Sequence, residues 1–180
     1  MGNLLSSRSS SVPDDPIERL RYYARDEIAK RNKCFEDSKQ AYHRKDHARA
    51  KKLSKQGKDH DAKAKKLNAE AADMVFKAKN AGRPSDEIDL HGLKVQEALA
   101  KVEQVVRQCK ADGRKRVTFI VGRGLHSGPD GPKIKPAVMS LINKHSLRCT
   151  LVNEGSLLVE LVPREQAGWF EGLVRGCAIC

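Results

Sequence analysis

Glu87-Ile88-Asp89-Leu90-His91-Gly92 marks the point where the chain changes character. Apolar and polar residues alternate through it, which is the two-residue period of a strand. The long stretch before it follows helical spacing instead. Downstream, Val95, Ala98, Leu99, Val102, Val105, Val106 and Cys109 form one face of a helix, stopped by Asp112-Gly113. Val117-Thr118-Phe119-Ile120-Val121 is apolar and β-branched, the composition of a buried strand. A glycine-rich loop runs from Gly122 to Gly131. Pro132 then opens a helix carrying Ile134, Val138, Leu141 and Ile142. Cys149–Val152 and Leu157–Val162 are strands joined at Asn153-Glu154-Gly155-Ser156, a hairpin. The order β-α-β-α-β-β predicts a two-layer α/β sandwich, with both helices covering a mixed sheet.

Upstream, Asp14, Asp15 and Pro16 have the chemistry of a helix start. Helical spacing continues from Ile17 to His43 and breaks at Arg44-Lys45-Asp46, where Asp46 can cap a second helix. Ala50, Leu53, Gly57, His60, Ala64, Leu67, Ala71, Met74 and Ala78 then recur at alternating steps of three and four. A stripe so narrow and small suits close packing against one partner helix, hence an antiparallel hairpin. Asn80-Ala81-Gly82-Arg83-Pro84 ends it. The fold class is therefore α+β: a helical hairpin, then a βαβαββ sandwich. The expected organisation is a flexible arm (1–15), a basic hairpin domain (16–82), the α/β domain (86–163) and a C-terminal tail (164–180).

The chain has 180 residues and a formal net charge of +12. Such an excess favours polyanionic partners, either nucleic acid or an anionic membrane surface. It is unevenly spread: residues 1–84 hold 21 Lys/Arg against 12 Asp/Glu, and residues 44–66 alone hold ten against three. Of the five cysteines only Cys177 and Cys180 stand three apart, with no second ligand pair, which fits a reduced, cytoplasmic protein better than a zinc or disulfide framework. There is no run of eighteen apolar residues, and residues 1–16 lack the apolar core of a secretory signal.

Two segments carry candidate chemistry. Read as a strand end, Asp89 and His91 share one face. A carboxylate there can hold Mg2+ or orient water, and an imidazole can move protons near neutral pH. Gly92 lets the chain turn sharply. The alternative is purely structural: a capping aspartate and a hydrogen-bonded histidine. The second segment is Val121-Gly122-Arg123-Gly124-Leu125-His126-Ser127-Gly128. Its glycines expose backbone N–H groups to an anionic phosphate, and Arg123 can grip phosphate bidentately. His126 can donate to a phosphate oxygen or a leaving group, and Lys133 and Lys135 add positive charge. Neither the Walker pattern nor GxGxxG is present.

Together these segments resemble the Smr (small MutS-related) domain. Ile88–Gly92 resembles its LDxHG motif, with Ile for Leu. Val121–Ser127 resembles its TGxGxHS segment, with Val121 for the commoner Thr or His. Lys133–Val138 resembles the helix that follows. Residues 17–80 are similar to a helical domain of unknown function that precedes Smr in eukaryotic, notably fungal, proteins. The resemblance implies the fold of the C-terminal domain of translation initiation factor 3. It also implies nucleic-acid binding and, in several members, DNA nicking or RNA cleavage, often with Mg2+. On that basis Asp89, His91 and His126 are the expected catalytic residues, with Asp89 also the metal ligand. Gly92, Gly122, Arg123, Gly124, Ser127, Lys133 and Lys135 are expected to contact RNA or DNA, and no small-molecule substrate is expected. A second reading is a non-catalytic module that binds RNA or a ribonucleoprotein. The ends suggest a third, a membrane-attached scaffold: Met1–Ser6 fits an N-myristoylation pattern with Gly2 as acceptor, and Cys177–Cys180 has the outline of a CaaX box with Cys177 as acceptor. Trp169 and Phe170 are expected to pack on the domain or bind a partner.

Overall fold

The structure is a computed structural model that describes residues 12–124 and 131–162. The chain divides into two compact units, one up to Met74 and one from Val75.

The first unit is a helical hairpin. Helix α1 (Pro16–His43) starts where the Asp15 carboxylate accepts the Glu18 N–H at 2.8 Å, with Pro16 in the first turn. Lys45 takes a left-handed conformation (φ 64°), and the Asp46 carboxylate accepts the Arg49 N–H at 3.0 Å, starting α2 (His47–Asn80). Three residues thus reverse the chain. The seam is built from small residues: Ala24 and Ala41 on α1, and Ala50, Gly57, Ala64 and Ala71 on α2, at a seven-residue interval. Gly57 is required there, because the Phe35 ring lies 2.5 Å from where a Cβ would stand. Polar rungs fix the register: Arg21 Nη1 donates to Asn68 Oδ1, Glu27 Oε2 meets His60 Nδ1, Arg31 Nη1 donates to Asp61 Oδ1, and Ser38 Oγ donates to the Ala50 carbonyl, each at 2.8 Å. His60, one of the seam positions of α2, finds its acidic partner, Glu27, 33 residues away.

The second unit contains β1 (Glu87–Asp89), α3 (Val95–Ala111), β2 (Arg116–Ile120), α4 (Ile134–Lys144), β3 (Arg148–Asn153) and β4 (Ser156–Glu160). The sheet order is β1-β2-β4-β3. β1 and β2 run parallel, joined through α3, while β4 pairs antiparallel with both β2 and β3. The core lies between this mixed sheet and the two helices. Val117 and Phe119 of β2 and Leu157 and Val159 of β4 are completely buried, with Ala98 and Val102 of α3 and Val138 and Ile142 of α4. The expected βαβαββ sandwich is the observed one.

β1 is shorter than its sequence suggests. Leu90 still donates to the Ile120 carbonyl at 2.8 Å, but the strand ends at Asp89. The Asp89 side chain captures the His91 N–H at 3.0 Å, an aspartate turn that bends the chain away from the sheet edge. Asp89 and His91 therefore meet through this turn and not through strand alternation. The last turns of α2, from Val75, belong to this second unit. Gly2, His126, Ser127, Trp169, Phe170 and Cys177 lie outside the described residues. Among the described residues, no helix is long and apolar enough to cross a membrane.

Candidate active site

Asp89 is 1% exposed, at the C-terminal end of β1. Burying a carboxylate is costly unless it is paired and hydrogen-bonded, and here it is both. Oδ1 accepts from the His91 backbone N–H and from His91 Nδ1 at 2.5 Å. Oδ2 accepts from Arg83 Nη2 at 2.9 Å. The Asp89 backbone is clasped as well: its N–H donates to Asn80 Oδ1 at 2.7 Å, and its carbonyl accepts from Asn80 Nδ2 at 2.9 Å.

This arrangement sets the state of His91. An ionised carboxylate only accepts, so Nδ1 is the donor, and in the neutral form of the ring the lone pair lies on Nε2. The His91 side chain is 44% exposed, so the ring is held from the buried side while remaining accessible. That is the arrangement of an oriented proton acceptor.

The glycine segment lies against this histidine. Val121 and Gly122 both donate to the Gly155 carbonyl, at 2.8 and 3.2 Å, which fixes the exit of β2. Gly122 has φ +76°, and a Cβ on it would stand 3.6 Å from the His91 Cβ. A Cβ on Gly155 would stand 3.2 Å from the Gly122 carbonyl carbon and 3.3 Å from the Arg123 nitrogen. Arg123 projects outward, its Nε 3.8 Å from Glu154, and Lys135 Nζ donates to the Glu154 carbonyl at 3.2 Å. Lys133 lines a crevice of about 270 Å³ with Lys94, Leu93, Val121, Gly124 and Pro132. Gly92, at φ +84°, makes the turn after His91. Asp89, His91 and Gly122 are thus brought together, while the side chains of Arg123 and Lys135 meet at Glu154.

The donor set does not fit a divalent cation at Asp89. Both carboxylate oxygens are engaged by Arg83 and His91, and among the described residues no three His, Cys, Asp or Glu side chains converge. The Mg2+ expected there would need oxygens besides those of Asp89, which already accept from Arg83 and His91.

Sequence reasoning missed three contributors. Asn80 and Arg83 read only as a helix stop, and Gly155 only as a hairpin turn. The one available signal was a cation six residues before an aspartate in an apolar strand, a spacing that becomes a contact only once α2 ends beside β1.

Two family models match the chain: the domain of unknown function DUF1771 over residues 18–80 and the Smr domain over residues 88–157. The Smr domain-containing protein C11H11.03c of Schizosaccharomyces pombe is 35% identical over 148 residues, covering 82% of this chain and 72% of that protein. Endonuclease NBR9 of Saccharomyces cerevisiae is 36% identical over 150 residues, covering 82% of this chain and 62% of that protein. The solution structure of the B3BP Smr domain is 38% identical, covers 53% of this chain and 96% of its own, and has a TM-score of 0.42. The chain belongs to the Smr domain family, a family of nucleic-acid-binding, endonuclease type, and it carries DUF1771 directly before the Smr domain.

Proposed function

We propose that the chain is an endonuclease that cleaves phosphodiester bonds, with RNA as the favoured substrate and DNA nicking as the alternative. The observation that supports this most strongly is the His91 ring, bound through Nδ1 to buried Asp89 and set against Gly122. His91 Nε2 takes the proton from the attacking hydroxyl, either that of water or the ribose 2′ hydroxyl. Arg123 and the backbone N–H groups that follow Gly122 hold the non-bridging oxygens as the new P–O bond forms. His126 supplies the proton to the departing oxygen. Asp89 keeps the imidazole in the required tautomer and stabilises its protonated form, as the third member of a catalytic triad does. The hairpin supplies phosphate contacts independent of sequence, because Lys51, Lys52, Lys55 and Lys58 lie together on α2.

The test is incubation of the pure chain with structured RNA, single-stranded RNA and supercoiled DNA, with and without Mg2+. New ends in RNA are the expected result. A 2′,3′-cyclic phosphate product identifies the ribose hydroxyl as nucleophile, and an ordinary phosphate identifies water. The same lysine row favours a second reading, a binding module without turnover. Tight binding with no cleavage of any of the three substrates establishes that reading instead.

A further inference from the structure

Arg83 falls in the gap between the two family matches, and Asn80 is the last residue of the first. Neither belongs to the motif that carries the chemistry, yet both hold it. Arg83 Nε donates to the Lys79 carbonyl at 2.9 Å, Nη2 donates to Asp89 Oδ2 at 2.9 Å, and Nη1 lies 3.9 Å from Glu87. Two of its three guanidinium nitrogens therefore donate to protein acceptors, and the third lies near a carboxylate. Asn80 Nδ2 donates both to the Phe76 carbonyl, in its own helix, and to the Asp89 carbonyl. Its amide works like one more rung of strand pairing for β1, made by a side chain at the end of α2.

We infer that Arg83 and Asn80 are positioning residues for His91, so that the working site begins in the last turn of α2 and not at the Smr domain itself. The inference rests on the proposed role of His91. A carboxylate 1% exposed needs a compensating charge. Without the guanidinium, Asp89 Oδ2 loses its partner and the carboxylate turns toward water. A displaced Asp89 no longer holds Nδ1–H, and Nε2 then loses its fixed position and its lone pair for part of the time. Arg123 and Arg83 accordingly differ: Arg123 contacts the phosphate and so acts on substrate binding as well as on the rate, whereas Arg83 acts only on the step that needs the oriented imidazole.

The experiment uses the full chain, unaltered and as Arg83→Met, Arg83→Lys and Arg123→Met, with nitrogen-15 NMR of the histidine rings and steady-state cleavage. His91 in the unaltered chain is expected as the Nδ1–H tautomer. Arg83→Met is expected to mix the tautomers and to lower kcat by roughly 10–100-fold at nearly constant KM, the size seen when outer-shell partners of a site are removed. Arg83→Lys, which keeps a cation for Asp89, is expected to retain the Nδ1–H form and most of kcat. Arg123→Met is expected to raise KM. If Arg83→Met does not fold, Arg83→Gln, which removes the cation but keeps a donor, decides, and an unchanged Nδ1–H form with unchanged kcat overturns the inference. An Nε2–H tautomer in the unaltered chain overturns it too, as does Arg83→Met with unchanged kcat, or with raised KM alone. The ring measurement needs no turnover. A chain that binds RNA and cleaves nothing therefore defeats the proposed function without touching this test.

Discussion

Residue 122 couples the turn that carries Arg123 to the placement of His91. Gly122 sits at φ +76° beside His91, and an alanine there is strained whatever the space around it. The expected cost in the left-handed region is about 1–2 kcal/mol, relieved by a shift of the turn that carries Arg123. Gly122→Ala should therefore lower cleavage and weaken RNA binding together, measured by gel assay and by titration of labelled RNA. Wild-type values for both would detach the glycine turn from the site. At this scale the sequence was partly legible. Asp89, His91 and Arg123 were readable because rare polar residues stood at the ends of apolar strands. The division of labour was not, because whether a carboxylate faces a metal or an imidazole depends on the Asp89 turn and on Arg83, contacts that strand alternation does not encode.

Among the elements, the hairpin seam is the most exposed to a small change. Its alanines bury little apolar area, so the Phe35 ring against Gly57 matters. Gly57→Ala places a Cβ 2.5 Å from that ring, and such overpacking typically costs about 1–3 kcal/mol. A lower melting temperature with unchanged Smr-domain spectra is the expected calorimetric and NMR result. The Glu27–His60 rung adds a pH dependence. The His60 hydrogen bond, aided by Lys30, holds the Glu27 carboxyl below its usual value of 4.5. Since its folded pKa is the lower one, the stabilisation is full above roughly pH 4.5 and is lost as pH falls through the folded value. Glu27→Gln should flatten the acid side of a melting-temperature profile, and an unchanged profile would remove the pair from the account. Helix and strand order were legible because periodicity is a local property. The end of β1 and the Glu27–His60 pairing were not, since one depends on a side-chain turn and the other on hairpin register.

For the whole molecule, the central question is how affinity and chemistry are divided along one chain. Residues 1–74 hold 18 Lys/Arg against 12 Asp/Glu, whereas Asp89, His91 and Arg83 belong to the second unit. Replacing Lys51, Lys52, Lys55 and Lys58 by Gln in the full chain should weaken RNA binding and flatten its dependence on log salt by up to about three, at roughly 0.7 for each single-strand phosphate no longer neutralised. Single-turnover cleavage of saturated substrate should stay near the wild-type rate. An unchanged salt slope would take the hairpin out of the interface. Domain order was legible in the change of period at residue 87. The reach of the second unit back to Val75 was not, because Asn80 and Arg83 look like a linker until their contacts are seen. The most direct test of the central claim is the single-turnover rate of RNA cleavage by His91→Ala beside the unaltered chain, with RNA saturating for both. An oriented proton acceptor predicts a loss of at least about a hundredfold with binding nearly intact, whereas equal rates for the two proteins would contradict it.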